Sequence, residues 1–529
     1  MPAPAARSAS WWSGLALLAI VVATALVRAR LLGVPLERDE GEYAYMGQLI
    51  LRGEVPYLAA HNMKLPGVYY ANAIILGVLG ETDVAIRLGL IALNAATIVL
   101  LYLVARRLFD TTAALTAAAA YGVLSVGSGP LGFTANAEHF VVLPMVGGLL
   151  CLMDLDAAAS VRRIVAGGLL LGLAYVMKQH GAAFVAFGGL WVLLAARRRG
   201  APGPAVLRDG ALFAGAALAP FLATCAAMLA AGAFGPFWFW TVSYAREYAT
   251  LIPLADALGI LRANFAHVVG SAPLLWALAA LGATALAWDA VARRHAAFLG
   301  LFVVCSFAAV CTGLRFSEHY FILLLPAASL LAAVAASACA RASGSVALGA
   351  GLAALAVVTA LVGDRRVLFE LSPVEVSRAI YGENPFPEAV EIARWLREHT
   401  SPEERIAVVG SEPEIYFYAQ RPAATSYIYT YPLMEAQPFA RWMQADMIAQ
   451  LERARPKYMV LVSVDTSWTR RADSPTLLFD WAERTVNADY VRVGQIDIPG
   501  DAASRYRWGD AAAGPPTSRS FVTVFARRA

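Results

Sequence analysis

The feature that most constrains this chain is an alternation of long apolar runs with short knots of arginine. A helix needs about 20 mostly apolar residues to cross the hydrocarbon core of a bilayer. Eleven runs are candidates: 11–29, 83–105, 112–130, 138–153, 163–177, 181–196, 210–232, 267–288, 296–314, 319–340 and 345–363. Between them stand Arg106–Arg107, Arg162–Arg163, Arg197–Arg199, Arg293–Arg294 and Arg341. With the N-terminus inside the cell, every knot falls on the cytoplasmic side, as the positive-inside bias expects. The loops carrying Asp39, Glu138, Arg246 and Glu318 then fall outside, together with the whole C-terminal region. Arg28 and Arg30 mildly oppose this orientation. The first run lacks a cleavage site and reads as a retained span.

Composition agrees with the runs. Apolar residues make up 59% of 529 and charged residues 15%, against about 25% charged in soluble domains. The net charge, 42 − 38 = +4, is too small to suggest a nucleic-acid partner. Five cysteines all lie in apolar runs with no CxxC spacing, and read as small membrane-embedded residues. The apolar stretch 67–80 is short and reads as an interfacial helix, because counting it as a span would move the later arginine knots outside. The runs 163–177 and 181–196 meet at Lys178, in "MKQHG". Lysine at mid-bilayer costs about 2.5–3.5 kcal/mol on insertion scales. This turn therefore either reaches the outer interface or lines a polar cavity.

The texture changes near Gly382. Short β-branched runs at 405–410 and 457–464, and the later "YVRVGQI" and "FVTVFA", alternate with amphipathic helical stretches. The expected architecture is an α-helical polytopic membrane protein of about 11 spans with a C-terminal soluble α/β domain. Residues 1–363 form the transmembrane part, with a first outer loop at about 30–82. Residues 364–381 form a linker, and 382–529 the α/β domain. The domain has no glycine-rich phosphate loop, which leaves it a supporting or acceptor-positioning role.

Four outer stretches carry chemistry. "RDEGEY" places Asp39 and Glu40 just past the first run. A carboxylate there is either solvated, paired with Arg38, or a general base for a hydroxyl. "HNMKLPG" places Lys64 before a proline-limited helix start, as an ordinary interfacial lysine or a partner for phosphate. "NAEHF" opens a run with Glu138, which the helix dipole alone would also favour. "LRFSEHYF" crowds Arg315, His319 and Tyr320 into a loop, as a hairpin cap or an anion site. Arg246 lies among aromatics typical of a membrane interface. No spacing is diagnostic of a metal, although a divalent ion at a carboxylate–histidine cluster stays open.

The order of these stretches, "RDEGEYAY…MKLPGVYY…NAEHF…MKQHG…RFSEHYFILLLP", resembles bacterial members of glycosyltransferase family 39. These are GT-C fold enzymes akin to protein O-mannosyltransferases and to the aminoarabinose transferase that modifies lipid A. The resemblance covers about residues 11–363. It implies a polyprenyl-phosphate sugar donor, with transfer on the periplasmic face of the bacterial inner membrane. It implies Asp39 as catalytic base, with Glu40 completing the acidic pair and Glu138 as an acidic position of the second outer loop. Lys64 matches the lysine of the family's Lys-Pro-Pro pattern, with Leu65 in place of the first proline. Arg315, His319 and Tyr320 match the late loop near the donor phosphate, and Lys178 and Arg246 are further candidates for its charge. The implied reaction is a single inverting displacement onto a hydroxyl of a lipid, glycan or protein, with no nucleotide cofactor. Two other readings stay open: a transporter or flippase for a lipid-linked sugar, and a non-catalytic envelope scaffold.

Overall fold

The computed structural model describes residues 4–500 and 502–528, so the outer domain limits 1 and 529 lie outside the described residues. Among these residues, seven helices are long and apolar enough to cross a membrane, or eight if one bent pair counts as a span, not eleven. The seven are Trp11–Arg30, Asp83–Leu108, Gln179–Arg198, Gly203–Ala230, Ala292–Val310, Leu325–Ser343 and Val346–Gly363. The other four expected runs form helices of 14 to 17 residues: Thr111–Leu124, Ala137–Leu152, Val161–Met177 and Pro273–Trp288. At 1.5 Å per residue these measure about 21–26 Å, less than the ~30 Å hydrocarbon core.

The physical reason is local. Apolarity continues past the point where the helix stops. Ser125–Pro130, rich in glycine and closed by proline, ends one helix. Asp154 and Asp156 follow the end of another. Ser271 and Ala272, followed by Pro273 at the next helix start, separate Pro273–Trp288 from the helix before it. The bent pair, Phe234–Ala249 and Leu254–Gly270, turns through 92° where no span was expected.

The turns carrying the arginine knots gather at one end. Arg341 pairs with Asp110 at 3.3 Å and Asp289 at 2.7 Å. Arg199 meets Asp209 at 3.0 Å and Arg163 meets Asp154 at 2.8 Å. The loops carrying Asp39, Lys64, Lys178 and His319 meet away from these knots.

The first loop contains two helices, Arg38–Leu51 and Gly67–Leu79. The segment expected as a linker is helical over Pro373–Tyr381, and is tied to the first helix by Arg30 donating to the Leu371 carbonyl at 2.7 Å. Beyond it lies a five-stranded sheet: β1 (Ile406–Val409), β2 (Tyr458–Ser463), β3 (Tyr490–Ile498), β4 (Arg505–Trp508) and β5 (Ser520–Arg527). The order is β1-β2-β5-β3-β4, parallel only between β1 and β2. The short β4, "RYRW", alternates arginine with aromatic residues but spans only four positions and was not read as a strand.

The first loop and the sheet domain share one apolar core. Tyr45 stacks on Tyr416 at 5.2 Å and accepts the Ala423 amide at 2.8 Å. Arg38 donates to the Ser411 carbonyl at 2.5 Å and pairs with Glu412 at 3.0 Å. Gly41 lets the helix approach this closely: a Cβ there would lie 2.7 Å from the Glu414 amide nitrogen. The loop helix is thereby clamped between the membrane helices and the sheet domain.

Candidate active site

The acidic run at 37–40 is first a helix start. Glu37 caps the helix Arg38–Leu51, accepting the amides of Asp39 and Glu40 at 3.0 Å each, and Glu40 reaches back to the Glu37 amide at 3.3 Å. Successive helical residues point about 100° apart, so the neighbours diverge. Glu40 turns into the protein. It pairs with buried Arg87 at 2.8 Å and accepts the Ala135 amide at 2.5 Å. Asp39 turns to a cavity of ≈ 330 Å³.

Lys64 reaches the same wall. Its Nζ lies 2.9 Å from Asp39 and 2.8 Å from Glu42, which share one helix face at i and i+3. Glu42 has no exposed side-chain surface and also accepts from Asn62 at 2.7 Å and Tyr69 at 2.6 Å. Burial alone would raise the Asp39 carboxyl, but Lys64 foremost among the nearby cations holds it well below the usual carboxylate range. The same two carboxylates raise Lys64 against the opposing effect of burial. Burial pushes Glu42 upward, and pushes Glu37 up to about 8 with help from Asp39.

Lys178 arrives from the end of the helix Val161–Met177. Its Nζ pairs with Glu138 at 2.5 Å and sits 4.6 Å from the Tyr320 ring centroid. Gly67 brings the two lysine segments together, since a Cβ there would meet the Val176 carbonyl oxygen at 2.6 Å. Gln179 then donates to the Met63 carbonyl at 2.7 Å.

The late loop is bent by residues with positive φ: Gly313, Leu314 and Phe316 at 71°, 54° and 47°. Such backbone is unfavourable for leucine and phenylalanine, and Asn264 helps hold it by donating to the Phe316 carbonyl at 2.9 Å. The bend presents Arg315 to the cavity. Its guanidinium lies 3.9 Å from the Tyr248 ring centroid and 3.4 Å from Glu435. His319 stands 3.9 Å from Glu138, and burial lowers it toward the neutral imidazole.

The sheet domain closes the cavity. Tyr429 donates to Asp39 at 3.3 Å, and Glu435 accepts from Tyr244 as well as from Arg315. Of the residues expected from sequence, Asp39, Lys64, Lys178, Arg315, His319 and Tyr320 line this cavity. Three others do not. Glu40 is bound to Arg87 away from it, Glu138 stands behind Lys178, and Arg246 is exposed to the outside. Sequence reasoning missed Glu42, Tyr429 and Glu435. Only Glu42 had a local signal, its i+3 spacing from Asp39. Among the described residues, no group of three or more His, Cys, Asp or Glu is disposed to hold a metal ion.

Comparison with known proteins places this geometry. Among solved structures, ArnT from Cupriavidus metallidurans bound to undecaprenyl phosphate superposes with a TM-score of 0.61 over 98% of both chains, at 15% identity. The apo state of that protein gives 0.60 at 14% identity, again over 98% of each chain. The chain has the GT-C fold.

The arabinofuranosyltransferase AftD from Mycobacteria also shares it, with a TM-score of 0.51 at 15% identity over 97% of this chain and 40% of that one. The profile of the family described as dolichyl-phosphate-mannose-protein mannosyltransferase matches residues 63–224. That stretch of the GT-C fold holds Lys64, Glu138 and Lys178, but not Asp39 or the late loop. No curated protein matches the sequence.

Proposed function

We propose that this chain is a glycosyltransferase that moves a sugar from a polyprenyl-phosphate donor to an acceptor hydroxyl. The observation that carries the reading is the cavity wall itself: a carboxylate held ionised beside one lysine, with Lys178 and Arg315 opening on the same space. A hydroxyl base and a set of phosphate-binding cations are the two things such a transfer needs. The GT-C fold supports the same class of donor.

In the proposed reaction the acceptor oxygen attacks the anomeric carbon as the bond from that carbon to the phosphate oxygen breaks. The hydroxyl proton goes to Asp39, and the electron pair leaves on the polyprenyl phosphate. Lys64, Lys178 and Arg315 take up the charge developing on that leaving group. One displacement inverts the anomeric centre. Donor phosphate competes with Asp39 for Lys64, so donor binding itself releases the carboxylate and makes it more basic. Tyr429 holds the carboxylate oriented in the meantime. Glu138 acts through Lys178 as a positioning residue.

The reading assigns residues 1–363 to the catalytic membrane domain and 382–529 to a domain that closes the site. It places the cavity on the extracytoplasmic face, since the arginine knots occupy the opposite end.

The test is Asp39→Asn at matched expression. Mass spectrometry of lipid, glycan and protein fractions is expected to show one sugar-sized mass missing, with turnover down ~10²–10⁴-fold. The purified variant is expected to keep binding undecaprenyl phosphate. Unchanged masses in every fraction, from a folded variant, would remove Asp39 as base and return weight to a transport or scaffold role.

A further inference from the structure

A second cavity, of ≈ 370 Å³, lies on the other side of Asp39. It shares Asp39, Ser317, His319 and Tyr429 with the first, so these residues form a partition between two spaces. The two spaces differ in charge. Lys64, Lys178 and Arg315 all open on the first, and none of them lines the second. The second instead adds the carboxylate of Glu318 to that of Asp39, together with Glu37, whose carboxyl is taken up as the helix cap.

Its one guanidinium is already spent. Arg38 is engaged by Ser411, Tyr431, Asn384 and Glu412 at 2.5 to 3.1 Å. Glu318 is the opposite case: its half-buried carboxylate has no hydrogen-bond or ion-pair partner among the described residues. The rings of Phe386 and Tyr381 complete the lining.

We propose that this second cavity receives the acceptor, and that the reacting hydroxyl belongs to an uncharged sugar of a glycan. The inference rests on the transferase reading above and deepens it. An acceptor entering here meets Asp39 from the side opposite the phosphate-binding cations, which is the approach an in-line displacement requires. A phosphate-bearing acceptor would face the carboxylates of Asp39 and Glu318 and no unengaged lysine or arginine, an arrangement that disfavours it. A sugar suits both parts of the lining. Its hydroxyls donate to carboxylates, which are pure acceptors when ionised. Its C–H face packs on aromatic rings, which offer apolar bodies at little entropic cost.

The experiment uses the full-length chain carrying Glu318→Gln, Glu318→Lys or Asp39→Asn. Glu318 has no partner to lose, so its variants are expected to fold. Two quantities are read: the Kd for undecaprenyl phosphate in detergent, and the sugar-sized mass in each cell fraction. The mass missing in Asp39→Asn cells is expected in the glycan fraction. Glu318→Lys is expected to lower it ~10-fold or more, and Glu318→Gln by less, with the Kd unchanged within about twofold. A missing mass in the phosphorylated-lipid or protein fraction, with undecaprenyl phosphate still bound, overturns the acceptor class alone. Transfer unaffected by Glu318→Lys overturns the second cavity as the acceptor site. Absence of both binding and any missing mass removes the transferase reading, and this proposal with it.

Discussion

At the arginine-knot end of the bundle, Arg163 meets Asp154 with side chains 31% and 43% exposed, and Arg198 approaches Asp156 at 41% and 33%. At the cavity end, Arg87 meets Glu40 at 3% and 0%, and Lys178 meets Glu138 at 6% and 0%. All four are carboxylate–cation pairs, and their energetics differ. Exposed pairs contribute about 0–1 kcal/mol each and are screened by salt. Buried pairs must first overcome desolvation, and apolar residues of similar volume often do as well. Charge is therefore costly where this chain buries it and cheap where it serves topology. At the knot end Asp209 and Asp289 are buried too, but their arginines keep exposed surface; pairs with both partners buried stand at the cavity end, which marks it as the place where position matters.

The largest effect expected from this contrast is at Glu40. Glu40→Ala leaves Arg87 without its carboxylate in a dry setting, and is expected to destabilise by about 3–5 kcal/mol. The thermal midpoint of the purified protein reads it. Asp39→Asn beside it gives up its pair with Lys64 but leaves that lysine on Glu42, and is expected to lower the midpoint by less than Glu40→Ala while turnover collapses. A Glu40→Ala protein as stable as wild type would break the distinction between the two neighbours.

That distinction was not legible in the sequence. "RDEGEY" shows two adjacent carboxylates, and reading them as one acidic pair was natural. The helix that starts at Arg38 sends them in different directions, and Arg87, the partner that captures Glu40, is 47 residues away. What was legible was local or cumulative: the apolar runs, the arginine knots, the order of the outer stretches, and four of the five strands as β-branched runs. The number of spans was overestimated because hydropathy measures apolarity and not where a helix ends. Tyr429 and Glu435 were invisible because nothing nearby in sequence marks them. They reach the cavity only because β1 and its following segment pack against the first loop. Arg246 looked like the other cations because sequence does not show which way a five-residue helix faces.

A smaller effect concerns pH. The Asp39 carboxyl lies below its unfolded value, so the stabilisation from its pair with Lys64 is complete above the ordinary carboxylate range. It is lost as pH falls through the folded value. Turnover in wild type should accordingly hold through mildly acidic pH. Lys64→Met removes the foremost lowering influence, and the acid limb of kcat/KM for the donor, which reports the donor-free protein, is expected to move to higher pH. An unmoved limb would mean that another group sets it. The same variant is expected to weaken undecaprenyl phosphate binding ~10-fold or more, because a charge-assisted contact is lost.

At the exposed end, Arg163→Gln is expected to lower stability by no more than about 1 kcal/mol, and raising the salt concentration should erase most of the difference. A loss comparable with that of Glu40→Ala would show that the knot pairs act as a network and not as isolated contacts.

The smallest effect is expected at Arg246, and it tests the site boundary most sharply. The short helix Ala245–Ala249 turns Ala245, Tyr248 and Ala249 toward the cavity, as i, i+3 and i+4 positions must share a face. Arg246 is one position on, about 100° around, and exposed. Arg246→Ala is expected to change undecaprenyl phosphate affinity by less than about twofold, the size of an ordinary surface substitution. Arg315→Ala, measured beside it, removes a guanidinium that opens on the cavity and should weaken binding far more. Equal losses from the two would mean that the donor's charge extends past Tyr248 to the outer face, and that the cavity as bounded here is only part of the donor site.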